Sequence, residues 1–202
     1  MKFLFLSLLI AMIAASSMKA DTAEVGKPAP DFTLTDYKGK AHKLSDYKGK
    51  IVILEWVNYD CPFVKKHYDS GNMQKLQKEM DAKGIVWLSV CSSAEGKQGH
   101  FTNDVINSRL EKYKASVTAY LIDEPGNVGK LYGARTTPNM YVIDPAQTLV
   151  YAGAIDDKPT ADQNDVNTAV NYIREAVSAL LNGSEINVKT SKPYGCSVKY
   201  KN

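Results

Sequence analysis

The sequence has 202 residues, and its 25 basic and 22 acidic residues leave a formal net charge of +3. So small a charge, with no run of Lys or Arg longer than two, excludes an extended surface for nucleic acid or acidic membranes. We therefore expect the lysines to lie on the solvated surface.

The N-terminus has the order of segments that is typical of a secretory signal. Lys2 precedes an apolar run over residues 3–15, and mostly small or polar residues fill positions 16–20. An apolar run of about 13 residues is too short to span a bilayer, which needs about 20. We predict a signal peptide over residues 1–20, a periplasmic or secreted protein, and contact with the membrane only during export.

Past the signal, the length fits one domain over residues 21–183 and a C-terminal tail over residues 184–202. Short strands on either side of the turn at residues 38–40 predict a β-hairpin at the start of the domain. The nearly continuous apolar run at residues 51–57 predicts a strand buried on both faces, which we expect at the centre of the sheet.

A helix is predicted after this strand, because Pro62 is a start signal and Gly84 is a stop signal. We expect a break or kink at Gly71-Asn72. The apolar segment 85–90 follows as a second buried strand and completes a β-α-β unit.

The second half predicts a helix over residues 102–114, a strand over 120–123 and a short helix that ends at Leu131. Strands at 140–144 and 148–152 must be antiparallel, because only three residues join them. A last helix over residues 169–181 has an apolar face formed by Val170, Ile173, Val177, Leu180 and Leu181. The tail shows no strong periodicity.

The chemistry is expected at Cys61, which lies between a buried strand and the first turn of a helix. Unpaired backbone N–H groups and the helix dipole favour the thiolate there, and the thiolate is the nucleophilic form. The alternative is a buried structural thiol, and this second interpretation is the one we favour for Cys91. The spacings of Cys61, Cys91 and Cys196 are not those of a metal site, so no metal is expected.

Two further motifs carry a family resemblance. The Cys61-Pro62 pair opening a helix, and residues 132–138 before the strand at 140–144, resemble the thioredoxin superfamily. Residues 25–153 resemble its redoxin, peroxiredoxin-like branch. The resemblance implies an α/β fold with a central mixed sheet flanked by helices and no cofactor. It also implies that Cys61 is the nucleophile, that Pro138 has a cis peptide bond, and that the backbone of Thr137 binds substrate.

Two charged residues have roles that the resemblance suggests. Glu55 lies inside an apolar strand, six residues before Cys61, where thioredoxins carry a buried acid that relays protons. The alternative is a carboxylate at a sheet edge or strand end that reaches solvent or pairs with a lysine. Arg135 matches an arginine found before the cis-proline in many family members, and a simple surface cation is the alternative.

The sequence also departs from both relatives. Val64 stands where a thioredoxin has its second cysteine, so a vicinal disulfide cannot form. Leu54 and Asn58 replace the proline and the hydroxyl residue of the peroxiredoxin motif. An amide at Asn58 can still donate a hydrogen bond to substrate, but we expect peroxide reduction to be slow.

These observations predict an exported thiol-disulfide oxidoreductase or slow peroxidase that acts on a thiol or disulfide protein or on a small oxidant. It would need a separate electron donor. We expect Cys196 to resolve oxidised Cys61, because the 13 steps from Gly183 to Cys196 span at most roughly 43 to 47 Å, enough to cross the domain. The alternative is a non-catalytic binding module whose cysteines form a structural disulfide.

Overall fold

The computed structural model describes residues 22–201. The predicted signal peptide lies outside these residues. No helix within residues 22–201 combines the length and the apolar character that a membrane-spanning segment requires.

The strands follow the alternation of apolar segments in the sequence. Their bounds are β1 Thr33–Asp36, β2 Ala41–Lys43, β3 Val52–Trp56, β4 Val86–Cys91, β5 Ala119–Ile122, β6 Thr136–Thr137, β7 Asn139–Ile143, β8 Leu149–Gly153 and β9 Cys196–Ser197. Seven of them form one sheet in the order β2-β1-β5-β4-β3-β7-β8, and β6 pairs with β9 in a second, two-stranded sheet.

The large sheet is mixed, as predicted. β3 is parallel to β4 and antiparallel to β7, and β4 is parallel to β5. The predicted hairpin is present as β1 and β2. It pairs with β5 through Thr35 and Ile122, which extends the sheet by two strands on that side. For this reason β4, and not β3 as expected, is the middle strand.

The helices are α1 Pro62–Asp69, α2 Asn72–Asp81, α3 Asn103–Tyr113, α4 Asn127–Leu131 and α5 Tyr172–Asn182, with 3-10 turns at Leu44–Tyr47 and Gln163–Asn167. The expected break between α1 and α2 is present at Gly71, which has a φ of 75°. The last helix begins at Tyr172 and not at residue 169, because the Asn171 side chain caps it by accepting a hydrogen bond from the Arg174 amide.

The expected apolar face of α5 was wrong at both ends. Val170 is 42% exposed and Leu181 is 52% exposed, whereas Ile173, Ala176 and Val177 are buried. The helix therefore presents a narrower stripe to the sheet than the sequence pattern indicated.

The core has two layers, one on each face of the sheet. Side chains alternate along β3, so that Ile53 lies in the layer beneath α1, α2, α3 and α5, and Leu54 lies in the layer with α4 and the N-terminal segment. This two-sided burial explains the continuous apolar run in the sequence.

The C-terminal tail returns to the middle of the domain. Residues 190–200, here called the strap, begin with a bridge from Thr190 to Ala152 in β8 and continue into β9, which lies antiparallel to β6. The strap ends where the hydroxyl of Tyr200 donates a hydrogen bond to the Ala134 carbonyl.

Candidate active site

Cys61 lies at the junction between β3 and α1. It is the N-cap residue of α1, and Pro62 takes the first helical position, where its missing N–H costs no hydrogen bond. The loop before it is closed by a 3.0 Å hydrogen bond from the Cys61 amide to the Asn58 carbonyl. The Cys61 side chain is fully buried.

The peptide bond between Thr137 and Pro138 is cis, as the resemblance implied. The carbonyl of Thr137 faces the sulfur and accepts a 3.1 Å hydrogen bond from the Cys61 thiol. The hydroxyl Oγ1 of Thr137 is buried and has no hydrogen-bond partner among residues 22–201. This threonine therefore presents two polar groups next to the cysteine.

The strap places Cys196 directly against Cys61. Pairing of β9 with β6 sets Cys196 opposite Thr137, and the Cys196 amide donates a 3.4 Å hydrogen bond to the Cys61 sulfur. Gly195 makes this approach possible, because a Cβ at that position would overlap the Thr137 carbonyl oxygen and its φ is 134°. All three cysteines are free thiols in the structure.

The surroundings of the two thiols shift their pKa values in opposite directions. Burial disfavours the Cys61 thiolate, but the nearby side chains of Cys196 and Thr137 and the amides of Cys196 and Val64 lower the pKa of Cys61. Burial raises the pKa of Cys196, and the neighbouring Cys61 raises it further. The arrangement favours a thiolate at Cys61 beside a protonated Cys196.

Glu55 is fully buried, so the alternative of a solvent-reaching carboxylate is wrong. Its carboxyl oxygens accept hydrogen bonds from Tyr68, Trp87 and Ser89, at 2.8 to 3.1 Å, and a longer one from Gln77. Burial raises the pKa of Glu55 although these donors act against the rise. Within the described residues no hydrogen bond joins Glu55 to the cysteine pair, and its relay role stays a prediction.

Asn58 supports the loop before the nucleophile. Its side-chain oxygen accepts a 2.9 Å hydrogen bond from the Asp60 amide, and its Nδ2 donates to the Gln98 carbonyl at 3.4 Å. The amide is thus turned toward the Gln98 loop.

Arg135 has an exposed side chain, and its backbone carbonyl accepts a 3.0 Å hydrogen bond from the Val198 amide of the strap. This backbone contact attaches the strap. Cys91 is buried, and its thiol donates to the Gly99 carbonyl at 3.3 Å, in agreement with the interpretation of a small buried residue.

One buried polar cluster beside the cysteine pair was missed at the sequence level. Lys66 and His67 on α1 and Asp156 after β8 are all nearly inaccessible, and they surround the hydroxyl of Tyr194 on the strap. The expectation of solvated lysines was wrong at Lys66. Nothing in the sequence separates Lys66 from the adjacent Lys65, because the residues that bury it lie about 90 and 130 positions further along the chain.

Known proteins resemble this chain in both sequence and fold. The thiol-disulfide oxidoreductase ResA of Bacillus thuringiensis is 28% identical over 126 residues, which cover 62% of this chain and 67% of that protein. The crystal structure of an uncharacterized conserved protein from Geobacillus kaustophilus is 29% identical, with a TM-score of 0.74 over 88% of this chain and 93% of that one.

The fold is thioredoxin-like, as predicted. The thioredoxin domain of a thiol-disulfide oxidoreductase from Bacteroides vulgatus has a TM-score of 0.52 at 21% identity, over 73% of this chain and 98% of that domain. Residues 25–152, which include Cys61 and the cis-proline, match the family model described as AhpC/TSA. The chain therefore belongs to the AhpC/TSA family.

Proposed function

We propose that this protein is a thiol-disulfide oxidoreductase in which Cys61 is the nucleophile and Cys196 is the resolving cysteine. The observation that carries the proposal is the contact between the Cys196 amide and the Cys61 sulfur. The opposite pKa shifts of the two thiols support it, and so does the similarity to an oxidoreductase of Bacillus thuringiensis.

The exchange proceeds through a mixed disulfide. The Cys61 thiolate attacks a substrate disulfide, and one substrate sulfur leaves and takes up a proton. Cys196 then gives up its proton and attacks the Cys61 sulfur, which expels the second substrate thiol and leaves a Cys61–Cys196 disulfide. Two electrons pass to the substrate, and an external dithiol must return them. The reverse sequence oxidises a substrate dithiol, and the redox potential of the couple against that of its compartment decides the direction.

Access to Cys61 requires the strap to move. The strap covers Cys61 and pairs with β6, the edge beside Pro138 where the resemblance places the substrate backbone. We infer that Thr137 and Pro138 form the substrate-binding edge once the strap is displaced. An extended segment of a protein substrate fits this edge, because it can replace the same backbone hydrogen bonds.

The proposed setting is the periplasm or the extracellular medium, where disulfides persist. The N-terminal signal pattern supports export. The substrate class is a thiol or disulfide protein, and the electron donor is a separate protein.

A slow peroxidase activity is the second candidate. Membership of the AhpC/TSA family favours it, and a thiolate next to a second thiol fits it chemically. Peroxide would oxidise Cys61 to a sulfenic acid with release of an alcohol or water, and Cys196 would condense with it to a disulfide and release water. Asn58 supports slow rather than fast chemistry, because its amide is engaged with Asp60 and Gln98.

Peptide mapping of the non-reduced protein after mild oxidation tests the proposal. We expect a Cys61–Cys196 disulfide in the wild type and in a Cys91→Ser control, and a trapped mixed disulfide with substrate in Cys196→Ser. Three free thiols, or a link that involves Cys91, would overturn it. A Cys61–Cys196 bond that neither glutathione nor a protein dithiol reduces would instead support the non-catalytic binding module.

A further inference from the structure

A buried socket for one tyrosine lies beside the cysteine pair. Tyr194 of the strap packs edge-on against Phe63, with ring centres 5.9 Å apart, and its hydroxyl donates a 2.5 Å hydrogen bond to Asp156 Oδ1. Lys66 and His67 complete the enclosure. We call Phe63, Lys66, His67 and Asp156 the tyrosine socket.

The charges in the socket are removed from water. The side chains of Lys66 and Asp156 are 0% and 1% exposed, and Lys66 Nζ lies 3.5 Å from Asp156 Oδ2. Lys66 Nζ also donates to the Lys158 carbonyl at 2.6 Å, and it lies 5.4 Å from the centre of the Tyr194 ring. Burying such a pair costs desolvation that an apolar pair of the same size would avoid. Stability alone therefore does not explain the presence of the Lys66–Asp156 pair. The pair does fix the geometry of the side chains around it.

His67 fixes the direction of the hydrogen bonds. Its Nδ1 lies 2.9 Å from Nδ2 of Asn72, which can only donate, so Nδ1 accepts and Nε2 carries the proton. Nε2 then donates to the Tyr194 hydroxyl at 3.2 Å, and the hydroxyl donates onward to Asp156. Burial and the neighbouring Lys66 lower the pKa of His67 to about 3, so the ring stays neutral at physiological pH. A hydroxyl at this point satisfies both neighbours, because it accepts from His67 and donates to Asp156.

Three of the four socket residues lie on α1, the helix that Cys61 caps, and Tyr194 lies on the strap together with Cys196. Lys66 and His67 follow Cys61 on α1, and Tyr194 precedes Cys196 by two residues on the strap. Fixing Tyr194 against α1 therefore limits where Cys196 can lie relative to the start of α1. On the other side of Cys196, the Tyr200 ring occupies the space that a side chain on Gly129 would fill.

We propose that Tyr194 is a positioning residue for the redox couple, held by Lys66, His67 and Asp156 so that the strap keeps Cys196 against Cys61. The inference rests on the proposed function. Its consequence is a high effective concentration of the Cys196 thiol at Cys61, because docking the strap beforehand removes most of the chain entropy that ring closure would otherwise cost.

The test compares Tyr194→Phe with a matched control, Tyr172→Phe. The first variant keeps the ring and removes only the hydroxyl. Tyr172, on α5, packs against Tyr151 of β8, and no hydrogen bond within residues 22–201 involves the Tyr172 hydroxyl. For each protein the equilibrium between the dithiol and the Cys61–Cys196 disulfide is measured against glutathione, and the pKa of Cys61 is measured by thiolate absorbance.

We expect Tyr194→Phe to lower the effective concentration of Cys196 by roughly 10- to 100-fold, the factor associated with one hydrogen bond to a charged group. We also expect the pKa of Cys61 to rise, because the strap supplies two of the contacts that lower it. Tyr172→Phe should change neither quantity. Asp156→Asn, which keeps the shape of the socket, should shift both quantities in the same direction as Tyr194→Phe.

An equilibrium and a Cys61 pKa that are unchanged in Tyr194→Phe would overturn this inference while leaving the proposed function intact. A wild-type protein that never forms the Cys61–Cys196 disulfide would instead overturn the proposed function. In that case the Cys61 titration still decides whether the socket positions the strap. A purely structural role for Tyr194 would lower the melting temperature and leave the Cys61 pKa unchanged, which also counts against the inference.

Discussion

The backbone amide of Cys196 lies 3.4 Å from the sulfur of Cys61, although 135 residues separate the two in the chain. This contact belongs to the backbone of Cys196 and not to its side chain. Replacing the Cys196 thiol therefore leaves one donor at the Cys61 sulfur in place, whereas displacing the strap removes both the amide and the thiol. The two effects can be separated by choice of variant.

We predict that Cys61 titrates below the value of a free cysteine and that Cys196→Ala raises its pKa part of the way back. Burial opposes the lowering, and the Cys196 side chain is the largest of the contacts that produce it. Thiolate absorbance against pH measures both values, with Cys61→Ser as the blank and Cys91→Ala as the control. Identical titrations of the wild type and Cys196→Ala would show that the Cys196 thiol does not stabilise the thiolate.

Gly195→Ala should expose Cys61. A methyl group at Gly195 would overlap the Thr137 carbonyl, and the φ of 134° at this position is one that residues with a side chain rarely adopt. Such a backbone conformation costs on the order of 1–3 kcal/mol. We expect labelling of Cys61 by a bulky alkylating reagent to become about tenfold faster or more. Gly183→Ala is the matched control, because Gly183 also has a positive φ but no atom lies within 4 Å of the position that a Cβ would take there. Equal labelling rates in the two variants would contradict a covering role for the strap.

Hydrogen peroxide should oxidise Cys61 slowly, and the product should depend on Cys196. The wild type should accumulate the Cys61–Cys196 disulfide, and Cys196→Ser should accumulate sulfenic acid on Cys61, because its resolving thiol is gone. Mass spectrometry after trapping of the sulfenic acid distinguishes the two products. Rates typical of peroxiredoxins in the wild type would contradict the slow chemistry expected from the buried sulfur and the engaged Asn58 amide.

Glu55→Gln should change how stability depends on pH. Burial raises the folded-state pKa of Glu55 above the ordinary value of a glutamate, although Trp87 and Ser89 donate to it. Its stabilising contribution is therefore complete below the unfolded pKa and is lost as pH rises through the folded pKa. As the pH increases, Glu55→Gln should therefore become more stable relative to the wild type, which thermal unfolding reports as a rising difference in melting temperature. The difference in the free energy of unfolding should be about 1.4 kcal/mol for each unit by which the folded pKa of Glu55 exceeds the unfolded pKa.

Glu79→Gln is the control with the opposite sign. Partial burial raises the pKa of Glu79, but hydrogen bonds from Lys83 and Arg174 outweigh it and lower the pKa overall. The contribution of Glu79 is present above the unfolded pKa and is lost as pH falls through the folded pKa. Thermal unfolding across a pH series should therefore separate the two variants, and parallel curves would mean that Glu55 is not held in a pKa-raising environment.

Local patterns predicted much of the fold and the place of Cys61 at the start of a helix. The apolar run that became β3, the Pro62 start of α1 and the break at Gly71 each depend on neighbouring residues only. Periodicity was less reliable for α5, because it does not show how far a helix extends past the sheet that buries it. The cis bond at Pro138 was predicted from a motif and not from composition.

What the sequence determined by itself is the position of Cys61 between a buried strand and a helix start, because both elements follow from neighbouring residues wherever the rest of the chain goes. Only the tertiary structure decided what surrounds that position. Lys66 and Glu55 are buried among residues from distant segments, and the strap follows its path because Gly195 permits close approach to Thr137. Such contacts form between segments with no shared periodicity, and their free energy depends on shape and hydrogen-bond geometry that a linear pattern does not contain.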